Sequence, residues 1–168
     1  MSDIAARAGV SKALLYDCFP GGKSEIFSAV VESVGRTFVK ELEAVPASTD
    51  LRSSGWALRE LLHVVFGSAR RERAQWRLIH NDPGTSNAAI RASARRARSK
   101  VIAALEGRIL ALSSDAPNTE RRGFYRAMAA TTFELARHCD RRVSTGELVE
   151  VIVMLVQGPT VVQDARAS

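Results

Sequence analysis

Three histidines and two cysteines, His63, His80, His138, Cys18 and Cys139, are the side chains of this chain best suited to metal binding or nucleophilic chemistry. A structural zinc needs four such ligands at short spacings, and a nucleophile needs a base within hydrogen-bond reach. Only His138-Cys139-Asp140 clusters, and three consecutive residues cannot share one face of a helix. The cysteines form no C-x-x-C pair and read as reduced intracellular thiols. No serine lies in a Gly-x-Ser-x-Gly elbow. Gly21-Gly22-Lys23-Ser24 has the closing letters of a phosphate loop but lacks its first glycine at the right spacing and a preceding strand. It reads instead as a helix N-terminus. These spacings predict no enzyme, no metal and no cofactor, and leave binding as the chemistry to look for.

The pattern richest in binding chemistry is at the N-terminus. Ser2 is expected to cap a short helix, with Ile4, Ala5 and Ala8 on one apolar face. Gly9 ends it, because glycine takes the left-handed conformation without a steric penalty. Val10 is expected to plug the turn, and Ser11 to cap a second helix. That helix carries Leu14 and Leu15 inward and Lys12, Ala13 and Tyr16 elsewhere. Two short helices joined by a three- or four-residue turn containing glycine form a helix-turn-helix, whose second helix enters the DNA major groove.

Asp-Ile-Ala-x-x-Ala-Gly-Val-Ser-x-x-x-Leu-Tyr-x-x-Phe at residues 3–19, followed by Lys23 opening a long helix, resembles the TetR family of transcriptional regulators. The resemblance covers about 25 residues. It implies an all-α homodimer with an N-terminal DNA-binding head and a C-terminal ligand-binding and dimerisation body. It also implies roles: Ser11, Lys12 and Tyr16 on phosphates or base edges, Ala13 near the groove floor, and Lys23 on a phosphate at the next helix N-terminus. Hydroxyls, an ammonium and helix N-termini all suit phosphate oxygens. The family's pattern has a further helix ahead of the Asp-Ile-Ala segment. Met1 stands two residues before Asp3, so the expectation is a head in which Ile4, Ala5, Leu15 and Phe19 lack one packing partner. Two other departures are Asp17 and Cys18, where the family favours aromatic, His or basic residues, and a Phe19–Lys23 link one residue longer than usual.

The elements that must position these residues follow from periodicity. At 168 residues the chain suits one compact unit, or a small head and one body. A long helix is predicted from Ser24 to about Val45, with Ile26, Phe27, Val30, Val31, Val34 and Phe38 on its apolar side. After Pro46–Asp50, a helix from Leu51 to about Glu72 repeats Leu58, Leu61, Leu62, Val65 and Phe66. A short helix from Ala74 to His80 stops at Asn81-Asp82-Pro83-Gly84, a strong turn signal. Helices from Ser86 to about Leu112, Thr119 to about Cys139, and Ser144 or Thr145 to about Gln157 complete the chain. No strand pattern competes. The fold class is all-α, with a head and connecting helix over 1–45 and a helical ligand-binding and dimerisation domain over 46–168.

The formal net charge is +6, carried by 20 Arg and 4 Lys against 18 acidic residues. Residues 1–24 hold only three basic residues against two acidic ones, so the surplus lies on later helices and reads as solvated helix faces. No apolar run reaches the ~20 residues of a membrane span, and no signal peptide is present; Leu148–Val156 is too short and contains Glu150. A cytoplasmic protein that does not engage the membrane is expected.

The final helix is apolar round nearly its whole circumference, so it must be buried on several sides. One side is expected to meet the core and the other a second subunit, with Phe133, Leu148, Val149, Ile152, Leu155 and Val156 at the dimer interface. For a ligand pocket between body helices, the aromatics Trp56, Phe66, Trp76, Phe124 and Phe133 are the candidate lining, with His63 and Gln75 as polar contacts. The sequence thus predicts a homodimeric, ligand-responsive repressor of palindromic double-stranded operator DNA, its effector a small apolar or amphipathic molecule. The alternative is a ligand- or protein-binding helical dimer of the same ancestry that has lost DNA binding.

Overall fold

The computed structural model describes residues 1–46, 51–80, 87–112, 119–139 and 144–157. All regular structure among them is helical: α1 (Ser2–Ala8), α2 (Lys12–Cys18), α3 (Lys23–Glu43), α4 (Leu51–Arg71), α5 (Arg73–His80), α6 (Ala88–Leu112), α7 (Thr119–Arg137) and α8 (Thr145–Gln157). The predicted helices are all present, with ends shifted by two residues at most, which is the scale on which helix ends fray. Pro46 lies within the described chain, but the expected break beyond it, Ala47 to Asp50, lies outside the described residues, as do Asn81–Ser86 and Asp140.

Local chemistry fixes the head. Ser2 does not cap α1; it is the first helical residue, and the Ala5 N–H donates to the Met1 carbonyl at 3.0 Å. Gly9 ends α1 with φ 68° and ψ 26°, and the Val10 N–H returns to the Ala5 carbonyl at 3.1 Å. That left-handed turn is what glycine permits cheaply. Ser11, in extended backbone, accepts the Leu14 N–H on its Oγ at 3.1 Å and starts α2 as expected. Leu14 departs from expectation: it is 49% exposed, and Leu15 alone is buried on α2. Val10 likewise lies at the surface rather than plugging the turn. The buried residues of α1 and α2 are Ala5 and Leu15 only.

The body is built around α6. Its most extensive partner is α3, followed by α7. Gly35 of α3 faces Ala97 of α6 so closely that a Cβ on Gly35 would lie 3.2 Å from the Ala97 Cβ. Val31, Ala94 and Ala97 make a small cluster there, with Phe27 and Leu78 packed against it. The main core gathers Phe38 and Leu42 from α3, Leu58, Leu61, Leu62 and Phe66 from α4, and Trp76 and Ile79 from α5. Val101, Leu105 and Ile109 of α6, Phe133 of α7 and Val149 and Ile152 of α8 complete it. Each large side chain removed from water there contributes on the order of 1.5–3 kcal/mol, so the body, not the head, carries the stability.

Polar contacts lock the helices in place. Arg59 of α4 grips Glu150 of α8 with two hydrogen bonds, Nε to Oε1 at 2.7 Å and Nη2 to Oε2 at 2.8 Å. This pair draws the Glu150 carboxyl below its usual range and raises the Arg59 guanidinium. Arg108 of α6 donates to the Val45 carbonyl just past the end of α3.

The last helix divides differently from the sequence expectation. Val149 and Ile152 are buried in the core of a single chain, as is Phe133 of α7, and Leu148 and Val156 pack partly against that core. Of the six expected interface residues, Leu155 alone is exposed. It shares a face with Val151 and Met154, also exposed, at the i, i+3, i+4 spacing of one helical stripe.

Candidate functional site

The outward side of the helix-turn-helix brings together most of the expected head residues. Lys12, Ala13 and Tyr16 are all exposed and fall at the spacing of one α2 face, with Ser11 at its start. Asp17, one turn after Ala13, borders that face and is exposed too. Tyr16 stands beside the link to α3: a Cβ on Gly22 would come within 4.0 Å of its ring. Gly22 has φ 66°, a backbone conformation that admits glycine readily.

Lys23 is the first residue of α3 and is exposed. The residue just before the N-cap of that helix is engaged by side chains of its first turn. The Gly21 N–H donates to Glu25 Oε2 at 2.7 Å, and Ser24 Oγ donates to the Gly21 carbonyl at 3.1 Å. An internal carboxylate thus sits where a helix N-terminus would otherwise attract an anion. A phosphate arriving there would meet the Lys23 ammonium with the Glu25 carboxylate close by.

In the body, the seven expected pocket residues separate. Trp56, His63 and Phe124 lie on the surface, and Phe66 is sealed in the core. Gln75 donates from Nε2 to Glu72 Oε2 at 2.7 Å, on its own stretch of chain. Trp76 and Phe133 do meet, their ring centroids 5.3 Å apart. Phe38 of α3 lies 4.7 Å from Trp76 on another side. The indole N–H points to Ser68 Oγ at 3.4 Å.

His80, not among the expected pocket residues, completes this aromatic cluster. Its ring stacks on Phe133 at 3.9 Å and on Trp76 at 5.3 Å. The side chain is 1% exposed, and neither ring nitrogen has a hydrogen-bond partner. Glu134 Oε2 is 4.0 Å from Nδ1, beyond hydrogen bonding, and Arg98 holds that carboxylate. Burial, then the charges of Arg98, Arg137 and His138, lower the imidazole pKa to about 3. The ring is therefore neutral at physiological pH, with one donor and one acceptor both unused.

A cleft of about 290 Å³ opens beside this ring, lined by Arg73, Trp76, Arg77 and His80 of α5 together with Arg137 of α7 and Cys139. Of the expected pocket residues, only Trp76 reaches it. The signal that could have found it is the α5 sequence: Arg73, Trp76, Arg77 and His80 recur at i, i+3, i+4 and i+7, one helical face. The histidine looked isolated because its neighbours are aromatic and basic rather than other metal ligands.

No helix among the described residues is long and apolar enough to cross a membrane. Residues 1–30 match the family model described as bacterial regulatory proteins, tetR family. Neither the curated proteins nor the solved structures gave a match to the chain.

Proposed function

We propose, from the premise that the first 30 residues are the DNA-binding segment of a tetR-family regulator, that the chain acts as a homodimeric, ligand-responsive repressor. The observation that carries this reading is the capped helix-turn-helix. Gly9 in the left-handed conformation and Ser11 on the Leu14 N–H fix the turn, and α2 leaves Lys12, Ala13 and Tyr16 exposed on one face. In the proposed complex, Ser11, Lys12 and Tyr16 contact phosphates or base edges, Ala13 approaches the groove floor, and Lys23 holds a backbone phosphate.

Two heads are needed to read a palindrome, their recognition helices entering successive major grooves about 34 Å apart. The face of α8 with Val151, Met154 and Leu155 exposed supplies an apolar surface for the second subunit. A small molecule bound among the body helices changes the spacing of the heads and so the affinity for operator, in proportion to its preference for one spacing. The alternative, a helical dimer that has lost DNA binding, draws on Asp17, whose exposed carboxylate borders the recognition face and repels phosphates.

Selection of bound duplexes from a random-sequence pool tests the proposal. The expected outcome is enrichment of an inverted repeat with half-sites about 10 base pairs apart, centre to centre. Enrichment of an isolated half-site would contradict the dimer, and absence of any enriched sequence would contradict the repressor reading itself.

A further inference from the structure

The α5–α7 cleft has features that packing of the body alone does not explain. Three guanidinium-bearing residues, Arg73, Arg77 and Arg137, line one space of about 290 Å³. None of the three pairs with a carboxylate among the described residues. Helix electrostatics account for two of them: Arg77 lies in the last turn of α5 and Arg137 in the last turn of α7, where cations are favoured. They do not account for Arg73, which opens α5, the end where a cation is disfavoured.

His80 is the independent observation. It lines the same cleft, its side chain is 1% exposed, and both of its nitrogens lack partners. A buried polar group without a hydrogen bond is destabilising, and native proteins retain few of them. Both nitrogens are closed to solvent, so an acceptor atom entering the cleft would satisfy the imidazole N–H after a turn of the ring. The same atom would lie among the arginines, whose planar forks suit carboxylates. Trp76, 4% exposed, borders the same space, its ring packed against Phe38, His80 and Phe133. An apolar cavity of about 150 Å³ suffices for benzene, so the cleft has room for a ring with a carboxylate attached.

We infer that the cleft between α5 and α7 binds a small aromatic carboxylate, its anionic group held by Arg73, Arg77, Arg137 and His80 and its ring against Trp76. Phe38 links the site to the head. It packs on Trp76 and belongs to α3, the continuous helix that begins at Lys23 beside the helix-turn-helix. As a binding site the cleft stands on its own geometry; as the effector site it rests on the regulator reading above.

Isothermal titration with benzoate tests the inference, using the full chain and two controls, the uncharged benzamide and inorganic phosphate. Saturable benzoate binding is expected, with benzamide and phosphate each at least about tenfold weaker. That factor corresponds to about 1.4 kcal/mol for the loss of the charge or of the ring. Arg77→Gln and Arg137→Gln, both surface changes, are expected to weaken benzoate at least about tenfold, as is His80→Phe, which keeps a ring in the aromatic stack. Circular dichroism confirms that each variant folds. Absence of saturable benzoate binding would overturn the inference. So would benzamide or phosphate binding as tightly as benzoate, or insensitivity to the three substitutions. Duplex binding is measured on the same samples without benzoate. Its loss would refute the regulator reading and leave the anion site standing, whereas intact DNA binding without benzoate binding would do the reverse.

Discussion

His80 is the residue at which burial, charge and function meet. Its folded pKa, about 3, lies below the 6.5 of a free imidazole, chiefly because burial disfavours the charged ring. Arg98, Arg137 and His138 add to that effect, and the Glu134 carboxylate that could oppose it is bound by Arg98. Between pH 6.5 and about 3, the unfolded chain therefore takes up a proton that the folded chain refuses. Stability is lost as pH falls through that window, by at most about 1.4 kcal/mol per pH unit. Urea denaturation of wild type and His80→Phe at pH 7, 6, 5 and 4 checks this. The variant is expected to gain on wild type steadily as pH falls; a difference that stays constant would contradict the assignment. Such a site was only half legible in the sequence. The i, i+3, i+4, i+7 series of α5 was there to be read, but which side chain ends buried depends on what covers the helix, here Trp76 and Phe133.

At the scale of elements, the helices were legible because each carries a run of apolar residues at three- and four-residue spacing, interrupted by turn residues. Of the seam that the spacing of α6 gives, Ile90, Ala94, Ala97, Val101, Leu105, Ile109 and Leu112, all but the half-buried Ile90 are buried. Faces were less legible than boundaries. The apolar circumference of α8 could not say which stripe meets its own chain, and the side holding Val149 and Ile152 proved to be the inner one. The α3–α6 contact was not legible at all. It depends on the missing side chain of Gly35, which lets the two helices approach at Ala97. A Leu at position 35 would have to separate them, and overpacking of this kind costs about 1–3 kcal/mol. Gly35→Leu is accordingly expected to lower the urea midpoint. An unchanged midpoint would contradict a close approach of α3 and α6 at this glycine.

For the whole molecule, charge and stability are concentrated away from the face proposed to read DNA. The net charge of +6 is carried mostly by arginines of the body, several of them tied to acidic partners: Arg98 to Glu134, Arg59 to Glu150, and Arg96 to Glu32 at 3.5 Å. The head holds few cations, so the proposed grip on DNA rests on a small number of placed contacts rather than on a general basic field. Lys12 is foremost among the proposed contacts, exposed at the start of α2 beside Ser11 and Tyr16. The most direct test of the account is the salt dependence of duplex affinity for the full chain and for Lys12→Ala. The expected result is affinity that falls linearly on logarithmic axes as salt rises, with a slope smaller by about one in the variant. Failure of the full chain to bind duplex DNA at about 50 mM salt, or identical slopes for both proteins, would contradict it.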